Sequence, residues 1–202
     1  MKIILDTEPL IMLLLFREYV VSEEKQKQDK IKKFLEQQLH GDIKDQEEYF
    51  KFFERELKNR NILVTSYVLA EVTDMIENHY FKGKDYCELM EASADFFKKL
   101  YEEYMEKDTI IDMMIEKKDK HVEAGKESKY FIEFGFANIS IYLALTKEIE
   151  KNKKNKYNIN VFLLSEDKYL KNFCTYVEKF NNVMTFNEFV YQMKLRSELY
   201  IK

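Results

Sequence analysis

The run Met1-Lys2-Ile3-Ile4-Leu5-Asp6 and the run Val161-Phe162-Leu163-Leu164-Ser165-Glu166-Asp167 share one pattern: a short apolar stretch that stops at carboxylates. Four or five consecutive apolar residues, too few for a helix, read as a strand covered on both faces, the kind found in parallel sheets. Parallel neighbours need long crossover connections, and ligands of open α/β sheets bind beyond the carboxyl ends of the strands. Two such strands side by side bring Asp6 and Asp167 to one edge despite their separation in sequence. Carboxylates gathered that way suit a hard divalent cation, which prefers oxygen ligands.

The rest of the chain alternates similarly. After the first strand, Thr7 or Glu8 is the expected cap of a helix with Pro9 in its first turn, running to about Val21. Residues 22–33 are charged, an exposed loop or the start of a helix. Ile31, Phe34, Leu35 and Leu39 then form an amphipathic helical stripe, and Tyr49, Phe50, Phe53 and Leu57 form another. Ile62-Leu63-Val64-Thr65 is a second strand, with Ser66 the expected cap of a helix through Glu71 to about Gly83. A long helix is expected over 85–106. Residues 109–114 fit strand or helix, and 116–129 an exposed connection. Residues 136–149 read as a helix, the Lys-rich run 151–156 as a loop, and 160–165 as a strand. A helical turn at 168–173, a short strand at 183–185 and a terminal helix capped by Asn187 complete the order. The expected fold class is α/β: a mostly parallel central sheet flanked by helices, in one domain over 1–202, with 22–58 and 86–130 as helical insertions or extensions.

Composition narrows the function classes. With 46% apolar residues the chain has material for a true core. Its 33 basic and 37 acidic residues give a net charge of −4, so no global field draws it to nucleic acid. Two separated cysteines, Cys87 and Cys174, read as buried thiols and favour a reducing cytoplasm. The acids at 6 and 8 break any leader-peptide pattern, and no apolar segment is long enough to span a bilayer. His40, His79 and His121 have no ligand spacing.

Four positions carry candidate chemistry: Asp6 and Asp167 at strand ends, Glu71 in the helix after the second strand, and Asn138 near the start of the helix at 136. Asp74, one turn beyond Glu71, and Glu166 are further acids. Thr7 and Ser165 are placed to hydrogen-bond the carboxylates or a phosphate. Each acid also has a plain structural reading as a cap or surface residue.

In their order, these segments resemble the PIN-domain family of metal-dependent nucleases. The resemblance rests on Ile3-Ile4-Leu5-Asp6-Thr7, Val68-Leu69-Ala70-Glu71-Val72, Phe136-Ala137-Asn138-Ile139-Ser140-Ile141, Leu163-Leu164-Ser165-Glu166-Asp167 and the closing stretch 182–189. It departs from the family at Asn138, where an Asp is usual, and the stretches 22–58 and 86–130 exceed compact members. The resemblance implies a Mg²⁺- or Mn²⁺-dependent endoribonuclease with Asp6, Glu71 and Asp167 as metal ligands and Asn138 as the fourth site residue. It also implies RNA as substrate, with an antitoxin-like protein or a second copy of the chain as partner. The missing charge at Asn138 leaves open a degenerate module that binds RNA or a protein without cutting. Asp6-Thr7-Glu8 also superficially resembles the opening of haloacid-dehalogenase-like phosphatases, although Glu8 stands where that family has Asp.

Overall fold

A computed structural model describes residues 1–39, 50–53, 55–56, 59, 61–75, 110–111, 128–156, 159–177 and 179–200. Five strands among them form one sheet: β1 (Lys2–Leu5), β2 (Ile62–Thr65), β3 (Ile110–Ile111), β4 (Val161–Leu164) and β5 (Val183–Met184). Every pairing is parallel, and the spatial order is β3-β2-β1-β4-β5. Ile3, Ile4 and Leu5, and all four residues of β4, are buried, so both faces of the central strands are covered.

The chain builds outward from β1 through β2 to β3, then returns to lay β4 on the other side of β1. The strand order therefore reverses between β1 and β4, where open α/β sheets form a crevice at their carboxyl edge. The register there runs from Lys2 opposite Val161 to Leu5 opposite Leu164. One residue further on, Asp6 faces Ser165, and Asp6 N–H donates to the Leu164 carbonyl at 3.0 Å.

Helix α1 (Thr7–Val21) follows β1 without an intervening loop, and α2 (Lys25–Leu39) packs against it. Ile31 and Leu35 of α2 are buried, as are Phe50 and Phe53 of the helical residues 50–53. Phe50 stacks on Phe16 of α1, and Phe162 of β4 meets Phe189 edge-on. The described part of 22–58 thus contributes side chains to the common core. The remaining expectations for 40–49, the helix at 85–106, residues 112–127 and the end of the helix near Gly83 fall outside the described residues.

Helix α3 (Ser66–Met75) follows β2, and α4 (Ser128–Asn155) leads into β4. Helix α4 packs on β1, β2, β4 and α3. It is longer than the expected 136–149 in both directions. Residues 128 and 129 belong to its start, and Lys151 to Asn155 are its last turn rather than a loop, with Lys156 at φ 55° ending it. Gly135 breaks it at φ 70°, ψ 175°, a conformation open essentially to glycine alone. Helix α5 (Lys168–Asn172) passes into a π turn at Phe173–Val177, and α6 (Phe186–Tyr200) closes the described chain.

Three helix caps lie one residue or more before the expected ones. Asp6, not Thr7 or Glu8, caps α1. The Thr65 hydroxyl, not Ser66, accepts the Val68 N–H at the start of α3. Thr185, not Asn187, caps α6 in a reciprocal box: Glu188 N–H donates to the Thr185 hydroxyl and Thr185 N–H to the Glu188 carboxylate. Each strand end turns directly into a helix, so its last polar residue serves both elements. Among the described residues no helix is long and apolar enough to cross a membrane.

Candidate functional site

Asp6 stands at the reversal between β1 and β4. Its Oδ1 accepts the Thr7 N–H at 2.6 Å, and its Oδ2 accepts the Ser165 hydroxyl at 2.5 Å. Only 6% of the residue is exposed. Burial disfavours the ionised form and raises its pKa from an ordinary 3.8 to about 6. The two hydrogen bonds oppose the rise, while the negative charges of Glu71 and Asp167 add to it.

Each predicted acid connects to Asp6 through a hydroxyl-bearing residue, Thr7 or Ser165. Thr7, buried at the first turn of α1, donates its hydroxyl to Glu71 Oε2. Glu71 reaches it because Val68 and Val72 turn one stripe of α3 into the core and leave Glu71 on the stripe's exposed border. On the other side, the fully buried Ser165 hydroxyl donates to Asp6 and accepts the Asp167 N–H at 3.0 Å. Asp167 in turn caps α5, its Oδ1 accepting the N–H groups of Tyr169 and Leu170. Its Oδ2 accepts the Asn138 amide at 2.7 Å. Ala137, Ile141 and Ala144 bury one stripe of α4, and Asn138 lies beside it.

All four predicted site residues thus join one hydrogen-bonded chain, Glu71–Thr7–Asp6–Ser165–Asp167–Asn138. Asn138 enters it as a donor. An amide nitrogen satisfies a carboxylate oxygen, whereas the amide turned the other way would set two acceptors against each other. An Asp in its place would repel Asp167 unless a proton or cation lay between.

The remaining candidates are distributed differently. Glu166 points toward α6, where its carboxylate accepts the Phe186 N–H at 2.9 Å. Its charge bears on Glu8 in the first turn of α1. Asp74, one turn beyond Glu71 on α3, is exposed. Ser140 has a packing role: its hydroxyl donates to the Ala137 carbonyl, and the Thr65 hydroxyl lies 2.6 Å away.

Glu8, in the sequence a candidate cap and the third residue of the phosphatase-like opening, lies within the field of the other acids. Its pKa is raised, first by burial and then by the charges of Glu166, Asp167 and Glu71. Its spacing of two from Asp6, in the first turn of a helix that begins at the sheet edge, was the available signal. An acid there also complements the helix dipole, and that ordinary role conceals the other.

The donor set is all oxygen, which suits Mg²⁺ or Mn²⁺ rather than a softer metal. Among the described residues, no three Asp, Glu, His or Cys side chains are already drawn together as a cage for an ion. Each carboxylate instead rests on a neutral donor. Set against protein-family profiles, curated proteins and solved structures, the chain matches none of them.

Proposed function

We propose that the chain is a divalent-metal-dependent ribonuclease of the PIN-domain type, hydrolysing RNA phosphodiester bonds with Asp6, Glu71 and Asp167 as metal ligands. The observation that carries this reading is the position of buried Asp6 at the strand-order reversal, hydrogen-bonded through Thr7 and Ser165 toward two further carboxylates. A buried acid that binds its proton tightly beside two like charges is a place where a cation relieves repulsion. An all-parallel sheet with β1 and β4 as neighbours, which puts Asp6 and Asp167 at one edge, supports that reading.

When bound, Mg²⁺ or Mn²⁺ supplies Lewis acidity toward the phosphodiester and lowers the pKa of a coordinated water. The chain's own residues do the rest. Thr7 and Ser165 fix the rotamers of Glu71 and Asp6, Asn138 fixes Asp167, and Glu71, on the exposed side, faces incoming substrate. A reducing cytoplasm and a protein partner or second copy belong to the same proposal.

Cleavage of single-stranded RNA in Mn²⁺ tests it. Asp6→Asn and Asp167→Asn are each expected to lower the rate at least a hundredfold, and unaltered rates in both variants would sink the assignment. The Asn138 donor bond favours a second reading, a module that binds without cutting. Wild-type protein inert in Mn²⁺, with cleavage gained on Asn138→Asp, would select it.

A further inference from the structure

The hydrogen-bonded chain of the site begins at Glu71 on α3 and ends at Asn138 on α4. Deeper in the fold, a second path joins the same two helices. Val68 N–H donates to the Thr65 hydroxyl at 3.3 Å, the Thr65 and Ser140 hydroxyls lie 2.6 Å apart, and the Ser140 hydroxyl donates to the Ala137 carbonyl at 2.7 Å. A hydroxyl has a single proton to give. With the Ser140 proton on Ala137, the Thr65 proton makes the contact between the two hydroxyls, so the path runs one way from α3 through the end of β2 to α4. Val68 stands three residues before Glu71, and Ala137 adjoins Asn138.

We infer that Thr65 and Ser140 are positioning residues whose hydroxyl pair ties α3 to α4 beneath the carboxylates and sets the separation of Glu71 from Asn138 and Asp167. As a role in cleavage this rests on the ribonuclease reading; as a role in holding the Asn138–Asp167 bond it does not. Three observations carry it. Each hydroxyl is one carbon from the backbone, so the bond between them fixes backbone to backbone, whereas the apolar side chains buried by the two helices attract without direction. Gly135 breaks α4 just before Ala137, so the segment that bears Asn138 takes its direction from contacts made after the break. Capping of α3 accounts for the Thr65–Val68 bond but not for a serine at 140. That residue is fully buried, and an alanine there would leave no polar group to satisfy.

Two substitutions cut the link from opposite sides, so the test does not depend on one variant folding. Thr65→Val keeps the side-chain shape and removes the hydroxyl. Ser140→Ala leaves the Thr65 cap on Val68 in place. Thr65→Ser retains the hydroxyl and is the rescue. The first readout needs neither metal nor cleavage. In EDTA, the Asn138 side-chain amide of isotope-labelled protein is followed by NMR and identified by its loss in Asn138→Asp. It is expected to move toward the position of a free asparagine amide in Thr65→Val and Ser140→Ala, and to stay in place in Thr65→Ser. In Mn²⁺, both link-cutting variants should lose about tenfold or more in kcat on single-stranded RNA with KM little changed, since small misplacements of reacting groups cost rates of that order. The double variant should lose no more than either single one, because only one link is cut. A role in stability alone would lower urea midpoints in Thr65→Ser as well, which opens a methyl-sized gap, and would leave the amide unmoved. An Asn138 amide unmoved in Thr65→Val and Ser140→Ala, or moved as far in Thr65→Ser as in Thr65→Val, overturns the proposal. The two readings fail separately: a displaced amide in variants of a protein inert on RNA removes the nuclease and keeps the positioning pair, and cleavage with an unmoved amide does the reverse.

Discussion

At the residue scale, Asp6 is the most informative position, because its burial and its protonation are linked. A carboxyl moved from 3.8 to about 6 binds its proton more tightly folded than unfolded. In metal-free protein its contribution is therefore most favourable below about pH 4, and stability falls as pH rises from about 4 to about 6, by roughly 3 kcal/mol for that interval. Asp6→Asn removes this titration while keeping an oxygen for the Thr7 N–H. In EDTA the variant should gain stability relative to wild type as pH rises through that window, measured by urea melts at pH 4 and pH 7.5. A difference that does not change with pH would contradict the assigned burial effect. Asn138 gives the converse case. Asn138→Asp replaces a donor to Asp167 with a like charge and should cost about 1–3 kcal/mol at neutral pH in EDTA, with part of the loss recovered on adding Mn²⁺. Both identities were readable in the sequence, because an acid after an apolar run and an amide where an acid is usual are visible in one dimension. The Asn138 bond itself was not readable, since it depends on the start of α4 and the start of α5 being brought together in the fold. Glu8 was hidden for a related reason: an acid in a first helical turn looks the same whether or not other carboxylates surround it.

At the element scale, the strands were legible and the helix starts were displaced. Ile3 to Leu5, Ile62 to Val64 and Val161 to Leu164 are uninterrupted apolar runs short enough to read as strands, and each is buried in the sheet. The caps were misplaced because the sequence reading reserved a residue for a loop between strand and helix. Here Asp6, Thr65 and Thr185 cap their helices directly at the strand ends or one residue beyond. Asn152 shows a related effect at the other end of α4, its amide donating to the Ile159 carbonyl and joining a Lys-rich helical turn to β4. Thr185→Ala removes one half of the α6 box and should destabilise the protein by about 1 kcal/mol, whereas Asn187→Ala should change stability by less than half of that. Equal losses in chemical denaturation would restore Asn187 as the cap. Gly135→Ala is expected to cost about 1–3 kcal/mol from backbone strain alone, with no contribution from crowding.

At the scale of the whole molecule, a parallel α/β sheet could be anticipated from alternation of short apolar runs and helical stripes, but the neighbour relations of the strands could not. That β4 returns to lie beside β1, and not beyond β3, follows from long-range pairing that no local pattern encodes. This return is what brings Asp167 to Asp6, and so a metal bound there would join the first and fourth strands and report on the entire fold. A ligand that binds only the folded chain stabilises it by mass action, about 2.7 kcal/mol at a concentration one hundred times Kd. For a chain of this size that corresponds to a rise of roughly 5–10 °C in Tm. Mn²⁺ at pH 7.5 should produce such a rise in wild type, with Asp6→Asn and Asp167→Asn abolishing most of it and the exposed Asp74→Asn leaving it intact. Protons compete for the same oxygen. With Asp6 titrating at about 6, only about a tenth of it is ionised at pH 5, so the apparent Kd should rise about tenfold between pH 7.5 and pH 5. A Tm rise of equal size at both pH values, or one retained in Asp6→Asn, would place the ion elsewhere on the protein and detach the strand-end acids from metal binding.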